Sequence, residues 1–314
     1  MTDVQVLTPR EVPLGGLRAM KVRRTLPARE RSFVGAWCFV DHYGPDEVAT
    51  TGGMDVAPHP HCGLATVSWL FMGEIEHRDS LGTQAMVRPG EVNLMTAGRG
   101  IAHSEQSTDS TSVLHGVQLW VALPDAARDA APAFEHHVPP VVSPAAGVRA
   151  AVFVGSLFGS HSPVATATPL LGAEVVLDPG ASVTLDSPED FEVAVLLDTG
   201  TVTYAGRELA VGDLAVVEAG TRHTPLEVVA GESGARVVVL GGPPFEEEVV
   251  MWWNFVGRSH DEVVAAQEEW NAHGGRFGYV AGYVPRSDEH WWIPAPDLPG
   301  VRLRPRGRLG RAVT

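Results

Sequence analysis

The chain has 314 residues, enough for two medium domains or one large one, and its 34 glycines and 24 prolines cut the apolar runs to strand length. A formal net charge of −15 argues against a general nucleic-acid surface, and the chain shows neither an apolar run of bilayer-spanning length nor a signal peptide at its N-terminus. Cys38 and Cys62 are its two cysteines, too few for a disulfide framework, so a cytoplasmic protein in a reducing compartment is expected.

In chain order, the first pattern that carries chemistry is His59-Pro60-His61, joined later by His103-Ser104-Glu105. Residues two apart in a strand share a face, so each pair aims at one place. Three imidazoles and a carboxylate without a thiolate suit a catalytic or regulatory transition metal. Continuing the parity of His59 and His61 reaches Val67, Trp69 and Phe71, with polar Thr66 and Ser68 between them. A strand without a bulge would then aim the histidines into an apolar interior, with Trp69 and Phe71 available as its wall. Cys62 has the opposite parity and should face away from the metal.

Glu76-His77-Arg78-Asp79 reads as a surface ion network beside a turn, with substrate contact as the secondary reading. Arg99, in a glycine-flanked loop before His103, is a candidate for the pocket mouth. Val117, Leu119, Val121 and Leu123 alternate with Gln118, Trp120 and Ala122, which predicts a half-buried strand. Residues 124–145, rich in Ala, Pro and His, read as a linker. An internal repeat follows: Arg88–Gly98 lies over Ala210–Gly220, and Leu70–Gly73 over Leu197–Gly200. Strand, glycine turn, strand, Gly-acidic turn and strand thus occur twice, which predicts two β-barrels, over residues 1–130 and 131–314. The second copy keeps His223 but has no His-x-His, so it should lack a complete metal site. Late in the chain, Ser259-His-Asp-Glu262 reads as a capping box. Val263, Ala266 and Trp270 continue it at helical spacing, and Gly274 or Gly275 is the expected stop. Beyond Asp297 come Arg302, Arg304, Arg306, Arg308 and Arg311 without an acid, expected to form a solvated tail touching the acidic body.

The spacing of Gly53 to His59-x-His61 resembles the opening of the first cupin motif, although Ala65 stands where the usual acid would be. Gly90-Glu91-Val92, Met95–Gly98 and His103 resemble the second motif with two extra residues, and Glu105 would supply the missing acid. The runs Phe39–Pro45, His59–Gly63, Gly73–Gly82 and Met95–Glu105 are similar to the pirin family. That resemblance implies an all-β protein: two cupin (jelly-roll-like) β-barrels packed as a bicupin, with a short C-terminal helix and termini crossing to the opposite barrel. Met251–Phe255 would be such a crossing segment.

His115, His136, His137, His161 and His290 read as ordinary polar residues, whereas His59, His61, His103 and Glu105 stand out as two pairs inside matching motifs. Iron (Fe2+) suits this set best, Mn, Ni, Cu and Zn remain compatible, and one ion per chain is expected. The resemblance implies a dioxygenase acting on flavonols such as quercetin, with Glu105 accepting the hydroxyl proton. It also implies an alternative, a non-catalytic, redox-responsive iron protein that binds a transcription factor or a metabolic enzyme. The expected partner is accordingly a small aromatic substrate or a protein, with no nucleic acid or membrane, and the chain is expected to be a monomer.

Overall fold

The computed structural model describes residues 3–14, 20–221, 225–286 and 291–310. Strands dominate it, as the short apolar runs predict, and they form two jelly-roll halves. In the first half a seven-stranded antiparallel sheet runs in the order Ala133–His137, Val92–Thr96, Leu64–Met72, Val113–Ala122, Trp37–Glu47, Met20–Leu26, Arg10–Leu14. Beside it lies a four-stranded sheet, Asp55–His61, Ile101–Ser107, Ile75–Asp79, Gln84–Val87. Pro58 and Pro60 lack the N–H that a central strand would need, and Asp55–His61 is accordingly an edge strand.

The second half is one nine-stranded sheet built on Glu192–Tyr204 and Leu226–Gly242. Bulges between Leu197 and Thr199 and between Gly200 and Val202 bend these long strands around a core that includes Val175, Val195, Tyr204 and Val239. The repeat seen in the sequence is present in three dimensions: Gly73 and Gly200, its first turn in each copy, have φ of 88° and 85°.

The expected crossing of the termini is present. Gln5–Leu7 pairs with Leu214–Val217 of the second half. Phe255 bridges to Cys62 of the first half, and the Ile293 N–H donates to Pro58 O at 2.8 Å. Residues 124–145, expected as a linker, contribute Ala133–His137 to the first half's sheet and Val141–Val142 to the second's. The arginine tail is not free either. Arg306 pairs with Val249 through backbone bonds, and Arg308 reaches the buried carboxylate of Glu192 at 2.6 Å. Arg311 and His223 lie outside the described residues.

A continuous apolar cluster spans both halves, from Val40, Val67 and Leu119 to Phe153, Leu196 and Leu240. Each such fully buried side chain contributes about 1.5–3 kcal/mol, so this interface outweighs any surface ion pair at about 0–1 kcal/mol. The helix covers His260–Asn271, with Ser259 Oγ accepting from Glu262 N at 3.2 Å and Val263, Ala266 and Trp270 buried. The Glu262 side chain accepts from Arg258 N instead of completing the capping box. The helix ends ahead of the glycines: His273 takes the left-handed conformation (φ 54°) and Gly274 N–H bonds to Glu269 O. Among the described residues no helix is long and apolar enough to cross a membrane.

Candidate metal centre

Two neighbouring strands of the four-stranded sheet bring His59, His61 and His103 together, with one ring nitrogen of each within 4.8 Å of the others. His59 and His61 sit on the edge strand, and His103 lies directly opposite His59 on Ile101–Ser107. A bulge in Asp55–His61 then carries Glu105 opposite Val56, and its carboxylate lines the same cavity as His59 and His61, outside the group of ring nitrogens that lie within 4.8 Å of one another. All four residues are buried.

Hydrogen bonds fix the proton on each ring. His59 Nδ1 donates to Ala57 O at 2.9 Å, and His61 Nδ1 donates to Asn254 O at 3.2 Å. Behind His103 stands a relay that the sequence reading missed. Hydrogen bonds from His77 and Thr83 outweigh burial and hold Asp79 below the usual carboxylate range, so Asp79 is an acceptor. His77 Nε2 lies 3.3 Å from Asp79 Oδ2 and donates to it, leaving His77 Nδ1 to accept from His103 Nδ1 at 3.4 Å. All three Nε2 atoms are then unprotonated. His61 Nε2 and His103 Nε2 face each other at 3.0 Å as two lone pairs, a repulsive contact that a shared cation makes favourable.

Electrostatics favour the same state. Burial pushes His59 down to about 4, and burial together with neighbouring imidazoles puts His61 and His103 well below their ordinary value. Burial raises Glu105, against the opposing influences of His77 and of a hydrogen bond with Gln118. Glu105 Oε1 is buried without a hydrogen-bond partner among the described residues. Three converging lone pairs and an orphaned carboxylate oxygen fit a transition metal and do not fit an empty core.

The cavity beside these groups measures about 360 Å³ and is lined by Arg24, Phe39, Gln118, Trp120, Trp253 and Ile293 among others. Trp120 stacks on Phe39 at 4.0 Å, Arg24 lies over the far side of the shelf 4.0 Å from the Phe39 ring, and Asp41 holds Arg24 with two bonds of 2.7 Å. Trp69 and Phe71, expected at this wall, are elsewhere. The chain changes sheets at Cys62-Gly63, which breaks the parity carried from His61. Thr66 and Ser68 instead share the cavity face, opposite Trp120 and Gln118. Trp69 stacks on Phe153 of the second half at 4.8 Å and donates to Glu174 at 2.9 Å. The alternation around Gln118 is likewise between cavity and inter-barrel core, not core and solvent.

Other expected positions divide. Cys62 faces away from the histidines, and burial pushes its thiol up to about 11. Arg99 lines a different cavity, behind Cys62. Of the Glu76–Asp79 run, Glu76 and Arg78 form the expected ion pair at 2.9 Å, whereas His77 and Asp79 point inward as described. His136 bonds Asn93 and His161 bonds Ser156, both ordinary roles; His290 lies outside the described residues.

His115 is not ordinary. With His42 it flanks Asp198 of the second half, at 2.5 Å and 2.7 Å from the same carboxylate oxygen, and Arg236 lies 3.3 Å from the other oxygen. Burial opposes the charge on Asp198, but the bonds from His115 and His42 win and hold its pKa far below the usual carboxylate range. Arg23 Nε donates to His42 Nδ1 at 3.3 Å, so both nitrogens of that ring are engaged. No periodicity joins these three residues; two separate halves bring them together.

Comparison with known proteins agrees with this architecture. Residues 18–121 match the Pirin family model, and residues 172–278 match the Pirin C-terminal cupin domain. The chain is 43% identical over 297 residues to the "Putative quercetin 2,3-dioxygenase" of Pseudomonas aeruginosa, covering 94% of this chain and 91% of that protein. It is 37% identical to a "Pirin-like protein" of Caulobacter vibrioides, covering 88% and 94% of the two chains. The crystal structure of a quercetin 2,3-dioxygenase from Acinetobacter baumannii superposes with a TM-score of 0.87 at 36% identity, covering 98% of both chains.

Proposed function

The chain belongs to the pirin family, and on that premise we propose that the histidine cavity is a mononuclear metal centre opening flavonols of the quercetin type with O2. The observation that carries this reading is the convergence of three unprotonated Nε2 atoms at a cavity that the carboxylate of Glu105 also lines. His59, His61, His103 and Glu105 would hold one ion, of which iron suits the set best. When bound, it would supply Lewis acidity and a site for O2.

The chain's own residues supply the rest. The backbone carbonyls of Ala57 and Asn254, and the Asp79–His77 relay, keep each imidazole turned to the cavity. The Phe39–Trp120 shelf offers a flat apolar face to a planar ring, and Arg24, which lines the same cavity from the far side of Phe39, favours an electron-rich phenolate. Glu105, with its raised affinity for protons, accepts the hydroxyl proton of the substrate at Oε1 while Gln118 holds the carboxylate in place. Gln118 is itself oriented, since its amide oxygen accepts from Ser68 Oγ at 3.0 Å. The names of the similar proteins support the flavonol as substrate.

O2 consumption with quercetin tests the reading, using protein reconstituted with Fe(II) beside the same protein stripped by chelator. Uptake that depends on the metal supports it. Stoichiometric metal binding with no turnover on any flavonol would leave the redox-responsive regulator as the function.

A further inference from the structure

On the far side of the Cys62-Gly63 corner, away from the histidines, lies a second cavity of about 410 Å³. Cys62 is on its floor, Phe255, Val256 and Val263 form an apolar wall, and Arg99, Arg128 and Arg276 converge on it. Asp129 and Glu262 reach the same space, so three cations meet two anions there. Glu262 is already committed, accepting from Arg128 at 2.7 Å and from Arg258 N at 2.9 Å. Arg276 gives its Nε to Arg99 O at 2.5 Å and stands 3.8 Å from Glu269. The Arg99 guanidinium has no hydrogen bond or ion pair with any described residue. Arg128 also gives its Nε to Asp125 at 2.8 Å, so Arg99 is the cation here without an acid of its own, and an uncommitted guanidinium beside an apolar wall is chemistry suited to a carboxylate that carries a small apolar body.

A single stretch of chain separates this cavity from the metal centre. Trp253 and Asn254 face the histidines, whereas Phe255, Val256 and Gly257 face the arginines. Asn254 O accepts from His61 Nδ1, and Val256 N donates to Cys62 O at 3.0 Å. Gly63, at φ 70°, packs so closely under Val256 that a Cβ would overlap its carbonyl oxygen. A molecule pressing on Phe255 and Val256 therefore acts on the carbonyl that sets the His61 tautomer.

We propose that this cavity binds a small monocarboxylate with an apolar body, and that its occupancy is felt at His61 through residues 254–256. The coupling rests on the metal-centre reading above; the binding does not.

Calorimetric titration of benzoate into the full chain, first stripped by chelator and then reloaded with Fe(II), tests both parts. Saturable binding to the stripped protein is expected, weakened at least about tenfold in Arg99→Gln, an exposed position whose replacement spares the core. Inorganic phosphate should compete poorly, and benzoate affinity should differ by about fivefold or more between stripped and loaded protein. No saturable heat in the stripped protein, or heat untouched by Arg99→Gln, overturns the site. Inorganic phosphate that displaces benzoate at concentrations comparable to benzoate's own overturns the apolar-body assignment. Equal affinities with and without Fe(II) overturn the coupling. Failure to bind Fe(II) at all, with benzoate binding intact, overturns the metal centre and leaves the carboxylate site standing.

Discussion

Two buried histidine clusters lie in this molecule, and they differ in what their ring nitrogens face. In His59, His61 and His103 the outer nitrogens are tied to carbonyls or to the His77 relay, and the inner ones face one another. In His42 and His115 the same kind of nitrogen faces the carboxylate of Asp198, while Arg23 and Arg236 add cations around it. The first cluster has lone pairs left over and opens on a cavity; the second has matched its donors to acceptors between two barrels. Residue type and burial do not separate a metal centre from a structural clasp. The direction of the hydrogen bonds does.

The contrast can be broken or sharpened by substitution. Asp198→Asn should carry the largest effect, because it leaves Arg236 and two imidazoles around a neutral amide. Stability should fall by at least about 3 kcal/mol in urea titration, while metal content stays unchanged. Loss of the ion in this variant would erase the distinction between the clusters. Glu105→Gln should do the reverse, keeping the melting temperature and, at saturating metal, the ion. Flavonol-dependent O2 uptake should drop by at least about a hundredfold; undiminished turnover in the loaded, folded variant would remove Glu105 as the base.

His77→Ala tests the relay. Without it His103 can adopt either tautomer, and metal affinity measured by competition with a chelator should weaken about 10–100-fold. A smaller effect is expected from pH on the clasp. Burial, ahead of its bond to Asp198, holds the folded pKa of His42 below 6.5. The unfolded chain then takes up this proton first, so stability is level above about pH 6.5 and declines as pH falls from there toward the folded pKa. In His42→Gln the decline between about pH 6.5 and 5.5 should be shallower by about 1 kcal/mol. An identical pH profile in both proteins would show that His42 is not a source of it. Cys62→Ser should do least, since the thiol faces the other way: metal content and turnover should both match the parent protein.

The site was legible in the sequence where its logic is local. His-x-His, His-x-Glu and the twice-written glycine turns needed only the two-residue period of a strand, and that period held across both pairs. It failed across Gly63, where the chain leaves one sheet for the other and the parity that assigned Trp69 and Phe71 to the cavity ends. The inward aim of His77 and Asp79 was within reach, because Ile75, His77 and Asp79 alternate with Glu76 and Arg78 in the same way. The charge of the run masked that period. The Asp198 clasp, by contrast, joins residues from strands of two halves, and no local pattern announces it.

The exchange of ends has a consequence for any attempt to divide the protein. Gln5–Leu7 caps Leu214–Val217, four buried apolar residues that would otherwise be the open margin of the nine-stranded sheet. A fragment beginning after the first half would offer those bare N–H and C=O groups to any strand it met, including its own copies. The first half alone would fare no better, because Phe255 and Trp270 shield its Cys62 and Ala102. Each half chaperones the other's exposed seam, so separately expressed halves should aggregate, and mixing them before either collapses should restore soluble material.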